Sequence, residues 1–292
     1  MRAIGVVTDS HSGIGRKEAE ELGIYVLPMP FYIDGQCYYE NITLSREEFF
    51  EKLDSGADIS TSQPSPADVM GLWDRALKEY EKILYIPISS GLSGSCATAA
   101  ALAREEPYEG RVLVVDNGRV STPLHRSVLD CLELIGEGYP AETIREILEE
   151  ARDKMVIYVG VDTLEHLKKG GRITPAAALL GSVLNIKPVL KFDVGILDSF
   201  KKCRGLVKAK KVMIEAMKQD LATRFKEWRD RGEVYLLAAT SSSDEETGQW
   251  VREIREAFPG LTVMCDDLSL GVSCHIGHGG LGIGCSCRPR RV

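Results

Sequence analysis

Short apolar runs alternate with amphipathic stretches along the chain, most regularly in its first half. Arg2 to Val7 reads as a strand, Gly15 to Leu22 as a helix and Tyr25 to Met29 as a second strand, while Asp34-Gly35 forms a hairpin turn ahead of Gln36 to Tyr39. Ser45 and Glu48 have the spacing of a capping box and open a helix to about Leu53. Asp68 to Tyr80 follows as a helix, Ile83 to Ile88 as a strand, Gly94 to Ala103 as a helix and Val112 to Val115 as a strand. This alternation predicts an α/β layer architecture around a parallel sheet.

The helix Ala141 to Ala151 comes after a break at Gly136 to Pro140 and precedes a segment of different character. We therefore divide the chain into residues 1–154, an N-terminal parallel-sheet α/β domain, and residues 155–292, a C-terminal α+β domain. In the second unit Met155 to Val161 reads as a strand, Asp162 with Glu165 as a cap, and Thr174-Pro175 as a helix start. Lys187 to Phe192 and Ile196 to Phe200 read as paired strands around Asp193-Val194-Gly195. Helices Val207 to Trp228 and Glu245 to Phe258, the latter capped by Ser243 with Glu246, flank the strand Glu233 to Ala239.

Two hydroxyl-rich segments carry the candidate chemistry, Thr61-Ser62-Gln63-Pro64-Ser65-Pro66 and Ser89-Ser90-Gly91-Leu92-Ser93-Gly94-Ser95. Each runs directly into a helix start, where unpaired backbone N–H groups and partial positive charge favour an anion. Ordinary capping is the competing explanation. In a sheet of this kind ligands sit at loops leaving the carboxyl ends of strands, a rule that Thr8 to Ser10, Ser89 to Ser95 and Asp116-Asn117 satisfy.

With 292 residues, 44% of them hydrophobic, the chain can bury a full core without staples. The net charge of −7 argues against general nucleic-acid or anionic-membrane binding. Against that background Lys201, Lys202, Arg204, Lys208, Lys210 and Lys211 crowd one stretch, either as a solvated helix face or as a surface for an anionic partner. Eight cysteines without framework spacing and the absence of a leader-like segment point to free thiols and a cytoplasmic protein. No apolar run reaches the length of a membrane span, so stable membrane insertion is not expected. Cys285-Ser286-Cys287 near Cys274, His275 and His278 lacks the spacing of a structural zinc site, and neither a metal nor any other cofactor is expected.

The order of the motifs resembles the DegV family. The likeness runs from Val7-Thr8-Asp9-Ser10 through Thr61-Ser62-Gln63-Pro64, Ser89-Ser90-Gly91-Leu92-Ser93-Gly94 and Val114-Val115-Asp116. It continues in Leu167-Lys168-Lys169-Gly170-Gly171-Arg172-Ile173, Leu184-Asn185-Ile186-Lys187-Pro188-Val189-Leu190 and the Gly-rich stretch His275 to Gly282. Asn117 and His278 depart from the family pattern, which usually has Ser at the first place and Pro or Ser at the second.

The resemblance implies a two-domain DegV-like fold with a lipid pocket between or beneath the domains. It implies one buried long-chain fatty acid such as hexadecanoate, whose carboxylate is presented to a separate kinase related to dihydroxyacetone kinases. By that resemblance Thr61 and Ser93 bind the carboxylate, Ser62 and His275 belong to the polar network behind it, and Arg172 and Arg204 lie outside the pocket on the kinase-facing surface. The protein would be a lipid-binding, substrate-presenting partner and not itself an enzyme. Burial of about fourteen methylenes contributes on the order of 11 kcal/mol before ordering costs, so the tail supplies affinity and the head group orientation. Leu179, Leu180, Val183, Leu184 and Ile186 are candidates for the tunnel or for ordinary core.

A serine hydrolase is the alternative. Gly91-Leu92-Ser93-Gly94-Ser95 sits on a strand-to-helix turn much as a nucleophile elbow does, although Ser95 stands where the elbow requires Gly. Ser93 would be the nucleophile, with Asp116 and His275 in the order such a triad needs.

Overall fold

A computed structural model describes residues 2–178, 186–195 and 197–290. Along the first half the order is β1 (Arg2–Asp9), α1 (Arg16–Leu22), β2 (Tyr25–Leu27), β3 (Pro30–Ile33), β4 (Gln36–Tyr39), α2 (Arg46–Asp54) and β5 (Ile59–Thr61). Next come α3 (Pro66–Ala76), β6 (Tyr80–Ile86), α4 (Ser95–Leu102), β7 (Val112–Val114), α5 (Ser121–Gly136) and α6 (Ala141–Glu150). The second half contains β8 (Met155–Gly160), α7 (Glu165–Gly170), α8 (Pro175–Ala178), β9 (Ile186–Phe192), β10 (Asp198–Arg204), α9 (Leu206–Ala222) and α10 (Lys226–Asp230). It ends with β11 (Val234–Thr240), α11 (Asp244–Ala257), β12 (Val263–Asp267), α12 (Leu270–Ile276) and β13 (Leu281–Cys287).

Strands β2-β1-β6-β7 form a parallel sheet. Its strands are apolar on both faces because helices cover both. Val6, Leu84 and Ile86 pack with Leu124, Val128 and Ile144 of α5 and α6, while Val7, Ile83 and Tyr85 pack with Val69 and Trp73 of α3. A small antiparallel sheet, β4-β3-β5, folds over α2 and α12 through Phe31, Phe49 and Leu270. Its β3–β4 turn is Asp34-Gly35, both at positive φ, as a two-residue hairpin of this type requires.

The second large sheet, in the order β10-β9-β8-β13-β11-β12, is antiparallel except between β11 and β12. One face buries Met213, Met217 and Trp250 of α9 and α11. The other face turns toward the first sheet, where Ile88 and Val120 join Val159, Leu190, Leu268 and Ile276 in one cluster. The site described below lies at this meeting of the two sheets.

Several expectations are revised. Pro28-Met29-Pro30 ends β2 at Leu27 and transfers the chain to another sheet, so Met29 leaves the strand and its amide donates to Ser10 Oγ at 3.1 Å. Asp162 does not cap α7; Thr163 Oγ1 accepts from the Glu165 amide at 3.1 Å, and Asp162 pairs with Lys187. The helix expected from Val207 to Trp228 breaks after Ala222, where Thr223 Oγ1 donates to the Gln219 carbonyl at 2.7 Å and Phe225 turns into the core.

Lys201, Lys202 and Arg204 belong to the edge strand β10, which continues past Phe200. Lys210 is buried against Trp250 and Glu253, so the basic run is not one surface. Ile196, Leu179, Leu180, Val183 and Leu184 lie outside the described residues. The capping box at Ser45 and Glu48 and the Ser65 cap with Pro66 at the helix start are present as read.

Candidate functional site

The two hydroxyl-rich segments converge. Thr61 ends β5, where it pairs with Phe31, and the next residue turns out of the sheet. Ser93 stands in the loop between β6 and α4, which is organised around Ser89: the Ser89 carbonyl accepts from the Leu92 and Ser93 amides, and its hydroxyl accepts from the Gly91 amide. Thr98 Oγ1 of α4 donates to Gln63 Oε1 at 3.1 Å and ties one segment to the other. Gly91 is required by a close approach, because a methyl group there would stand 2.7 Å from the carbonyl carbon of Gly195 in the β9–β10 turn.

His275 enters from the last turn of α12 and brings Nε2 to 3.0 Å from Thr61 Oγ1. Its Nδ1 is buried without a hydrogen-bond partner among the described residues. Burial, then the positive charge of Arg172, lowers the imidazole pKa to about 3, so the ring is neutral at physiological pH. Arg172 donates through Nε to the Leu92 carbonyl at 3.1 Å and through Nη1 to the Gly170 carbonyl. At the C-terminal end of β1, buried Asp9 accepts from the His11 amide at 2.9 Å and the Ile88 amide at 2.8 Å, joining the ends of β1 and β6 beneath the site.

These groups open onto a cavity of about 330 Å³. Thr61, Ser62, Ser93, Arg172, His275 and His11 contribute its polar lining, and its apolar body includes Ile157, Val159, Phe192, Leu237, Leu268 and Ile276. Ser62 directs its own hydroxyl to the Gln63 carbonyl at 3.2 Å.

Arg172 therefore lines the cavity, which corrects the expectation that it lies outside. Gly171, at positive φ, caps α7, and Arg172 reaches the Leu92 carbonyl beside Ser93. Arg204 is exposed on β10 and is not among the lining residues. The sequence reading overlooked His11, although it directly follows the Asp9-Ser10 motif. It also overlooked the start of α5, where Val120 to Pro123 line the cavity and Ser121-Thr122-Pro123 has the composition of a helix start.

The hydrolase constellation is not assembled. Ser93 Oγ donates to Ser95 Oγ at 3.0 Å, His275 Nε2 faces Thr61, and Asp116 is held by Ser90 at 2.5 Å and Arg152 at 2.8 Å. Without a carboxylate on Nδ1, His275 lacks the partner that orients a general base. Cys285 and Cys287, the latter ending β13, are buried on the face packed against α9 and α11, whereas Cys274 belongs to the cluster around Phe31. Among the described residues no helix is long and apolar enough to cross a membrane.

Comparison with known proteins is decisive at the level of family. A family model described as uncharacterised protein, DegV family, matches residues 3–287. The chain belongs to the DegV family. A DegV domain-containing protein of Deinococcus radiodurans is 37% identical over 71% of this chain and 73% of its own length. Among solved structures, a DegV family protein from Thermus thermophilus described for fatty acid binding is 31% identical, with a TM-score of 0.86 over 98% of this chain and all of its own. DegV from Bacillus subtilis, described as a fatty acid binding protein, is 28% identical with a TM-score of 0.84, again over 98% of this chain and all of its own. The mixed α/β architecture, with a parallel sheet and a second sheet-and-helix layer, is that of these proteins.

Proposed function

We propose that this protein binds one long-chain fatty acid, with the chain in the cavity between the two large sheets and the carboxylate at Thr61 and Ser93. The observation that carries this reading is the arrangement of the cavity itself: two hydroxyls from converging loops beside an apolar interior. Its volume of about 330 Å³ suits a small-molecule site, for which the usual range is about 300–1,000 Å³. The likeness to fatty-acid-binding DegV structures at about 30% identity points the same way.

Neutral His275 supports a specific role for Thr61. A proton on Nε2 leaves only a lone pair unpartnered at Nδ1, and Thr61 then accepts from the ring and keeps its own hydroxyl hydrogen for the ligand. The opposite tautomer would bury an orphaned N–H and turn the Thr61 hydroxyl toward the ring. Arg172 adds positive charge beside the head group while holding the Ser93 loop through Leu92.

The bound acid would be presented to a separate kinase that phosphorylates its carboxylate, with exposed Arg204 contributing to docking and Arg172 acting at the head group. Lipid extraction and mass spectrometry of purified protein, followed by titration of delipidated protein with palmitate or oleate, test the binding step. One acid per chain is expected. Empty protein that also takes up neither acid would overturn it.

A further inference from the structure

The cavity-facing side of the second sheet is graded along the strands. Strand register places Leu190, Val159, Gly282 and Ala239 in one cross-strand row, and Phe192, Ile157, Gly284 and Leu237 in the next. A third row holds Met155, Ser286 and Tyr235. Since side chains alternate between faces, Gly282, Gly284 and Ser286 of β13 all address the same side.

Two glycines in the interior of a fully paired strand weaken it unless something must approach its backbone closely. Both line the cavity, as do Val159 and Ala239 beside the first and Phe192, Ile157 and Leu237 beside the second. The glycines thus form a shallow floor down the middle of the sheet. Neither Met155, Ser286 nor Tyr235 is among the lining residues.

The floor ends where buried Arg119 arrives. Its Nη1 donates to Ser286 Oγ at 2.8 Å and Ser127 Oγ at 2.9 Å, and its Nη2 donates to the Ala151 carbonyl at 3.1 Å. Met155 is fully buried on one side of Ser286, and Tyr235 lies beneath the Arg126 guanidinium on the other. Val120, next in the chain after Arg119, lines the cavity from the opposite side. Thr61 and His275 belong to the other end, because α12 leads through Gly277 to Gly280 directly into the start of β13.

We infer that Gly282 and Gly284 form the floor on which the acyl chain lies, and that the row Met155–Ser286–Tyr235, pinned by Arg119, is the end wall that limits chain length. The inference rests on the fatty-acid reading and adds a determinant of which acids fit. From the first row to the third the strand rises about 14 Å, so moving the barrier by one row changes the channel by about 7 Å.

The test is a set of affinities for straight saturated acids from decanoate to arachidate, measured on delipidated full-length protein. Gly284→Ala places a methyl group on the floor, 2.8 Å from the Val156 carbonyl oxygen, and should move the preferred acid to a shorter chain. The longest acid bound by the wild type should weaken about tenfold, the effect of excluding about two methylenes, while the shorter ones change little. Ile157→Phe fills the same row from a side chain and gives the same readout should Gly284→Ala fail to fold. Met155→Ala opens the wall and should move the preference to longer acids. An unchanged preference in the folded filling variants, or equal weakening for every acid, overturns the floor; an unchanged preference in Met155→Ala overturns the end wall. Failure of wild type to bind any of these acids overturns the fatty-acid reading itself.

Discussion

Gly170 lies so close to His275 that a methyl group added to it would stand 2.5 Å from the imidazole Cε1. The same imidazole reaches Thr61 at 3.0 Å, so the absence of a side chain at the end of α7 allows a residue of α12 to support a hydroxyl at the end of β5. Gly170→Ala should push the ring off Thr61 and reduce fatty-acid affinity by about 1 to 2 kcal/mol, the worth of a displaced hydrogen bond. Because the effect passes through His275, the double variant Gly170→Ala/His275→Ala should bind no worse than His275→Ala alone. Additive losses in calorimetric titrations would show that Gly170 acts by another route.

Thr61 and Ser93 meet the cavity from separate loops, so their contributions are separable. Replacing either with Ala should weaken binding by about 1 to 3 kcal/mol, the range for a hydrogen bond to a charged group. Folding should change little, since Thr61 is only partly buried and the Ser93 hydroxyl bonds mainly within its own loop. The corresponding methyl esters, which lack the anionic head, should not discriminate wild type from the variants. A Ser93→Ala protein that binds palmitate as wild type does would remove Ser93 from the head-group site. Ester hydrolysis abolished by the same substitution would instead revive the hydrolase reading.

The depressed pKa of His275 has a defined consequence for stability. Burial, reinforced by Arg172, holds it at about 3, against about 6.5 for a histidine in an unfolded chain. Between those values the unfolded state takes up a proton that the folded state refuses. Stability from this residue is therefore fully present above about pH 6.5 and declines as pH falls toward about 3, with a limiting slope of about 1.4 kcal/mol per pH unit. His275→Gln removes that pH dependence. Denaturant unfolding at successive pH values should show wild type losing stability more steeply than the variant as pH drops below about 6.5; parallel curves would mean that His275 titrates normally.

The legible parts of this fold were those in which one face of an element is apolar and its ends carry turn or cap chemistry. Asp34-Gly35, Ser45 with Glu48, and Ser65-Pro66 specify local geometry by themselves, and the structure has them in place. Helix α5 escaped because much of its buried surface is polar. Thr122 donates to the Ala238 carbonyl, His125 meets Asp266 at 3.1 Å and Arg126 meets Asp130 at 2.9 Å, partners that only the packed second sheet and the folded helix supply. The two hydroxyl-rich loops were legible as candidate segments, the family resemblance singled out Thr61 and Ser93 within them, and the Gln63–Thr98 contact that ties the loops together is visible only in the fold. Arg172 was placed outside the pocket by the family resemblance, which carries no local geometry; in the structure the left-handed Gly171 precedes it and its side chain reaches the Leu92 carbonyl.

The place of Arg172 in the cavity lining separates two arginines that the family resemblance had treated alike. With the head group placed as proposed, Arg172→Ala would remove a charge beside it and release the Leu92 carbonyl, so fatty-acid affinity should fall by about 1 to 3 kcal/mol. Arg204 is exposed on an edge strand with Lys201 and Lys202, away from the cavity lining. Arg204→Ala should leave affinity for palmitate within about 0.5 kcal/mol of wild type, as for an ordinary surface change. If β10 contributes to docking a kinase, the same substitution should slow acyl phosphate formation with purified kinase and ATP, and raising the ionic strength should slow the wild-type reaction in the same way. Palmitate retention should be indifferent to salt, since the proposed site buries the acyl chain. Equal losses of affinity in both variants would place Arg204 at the pocket, whereas unaltered transfer by Arg204→Ala at low salt would exclude it from the docking surface.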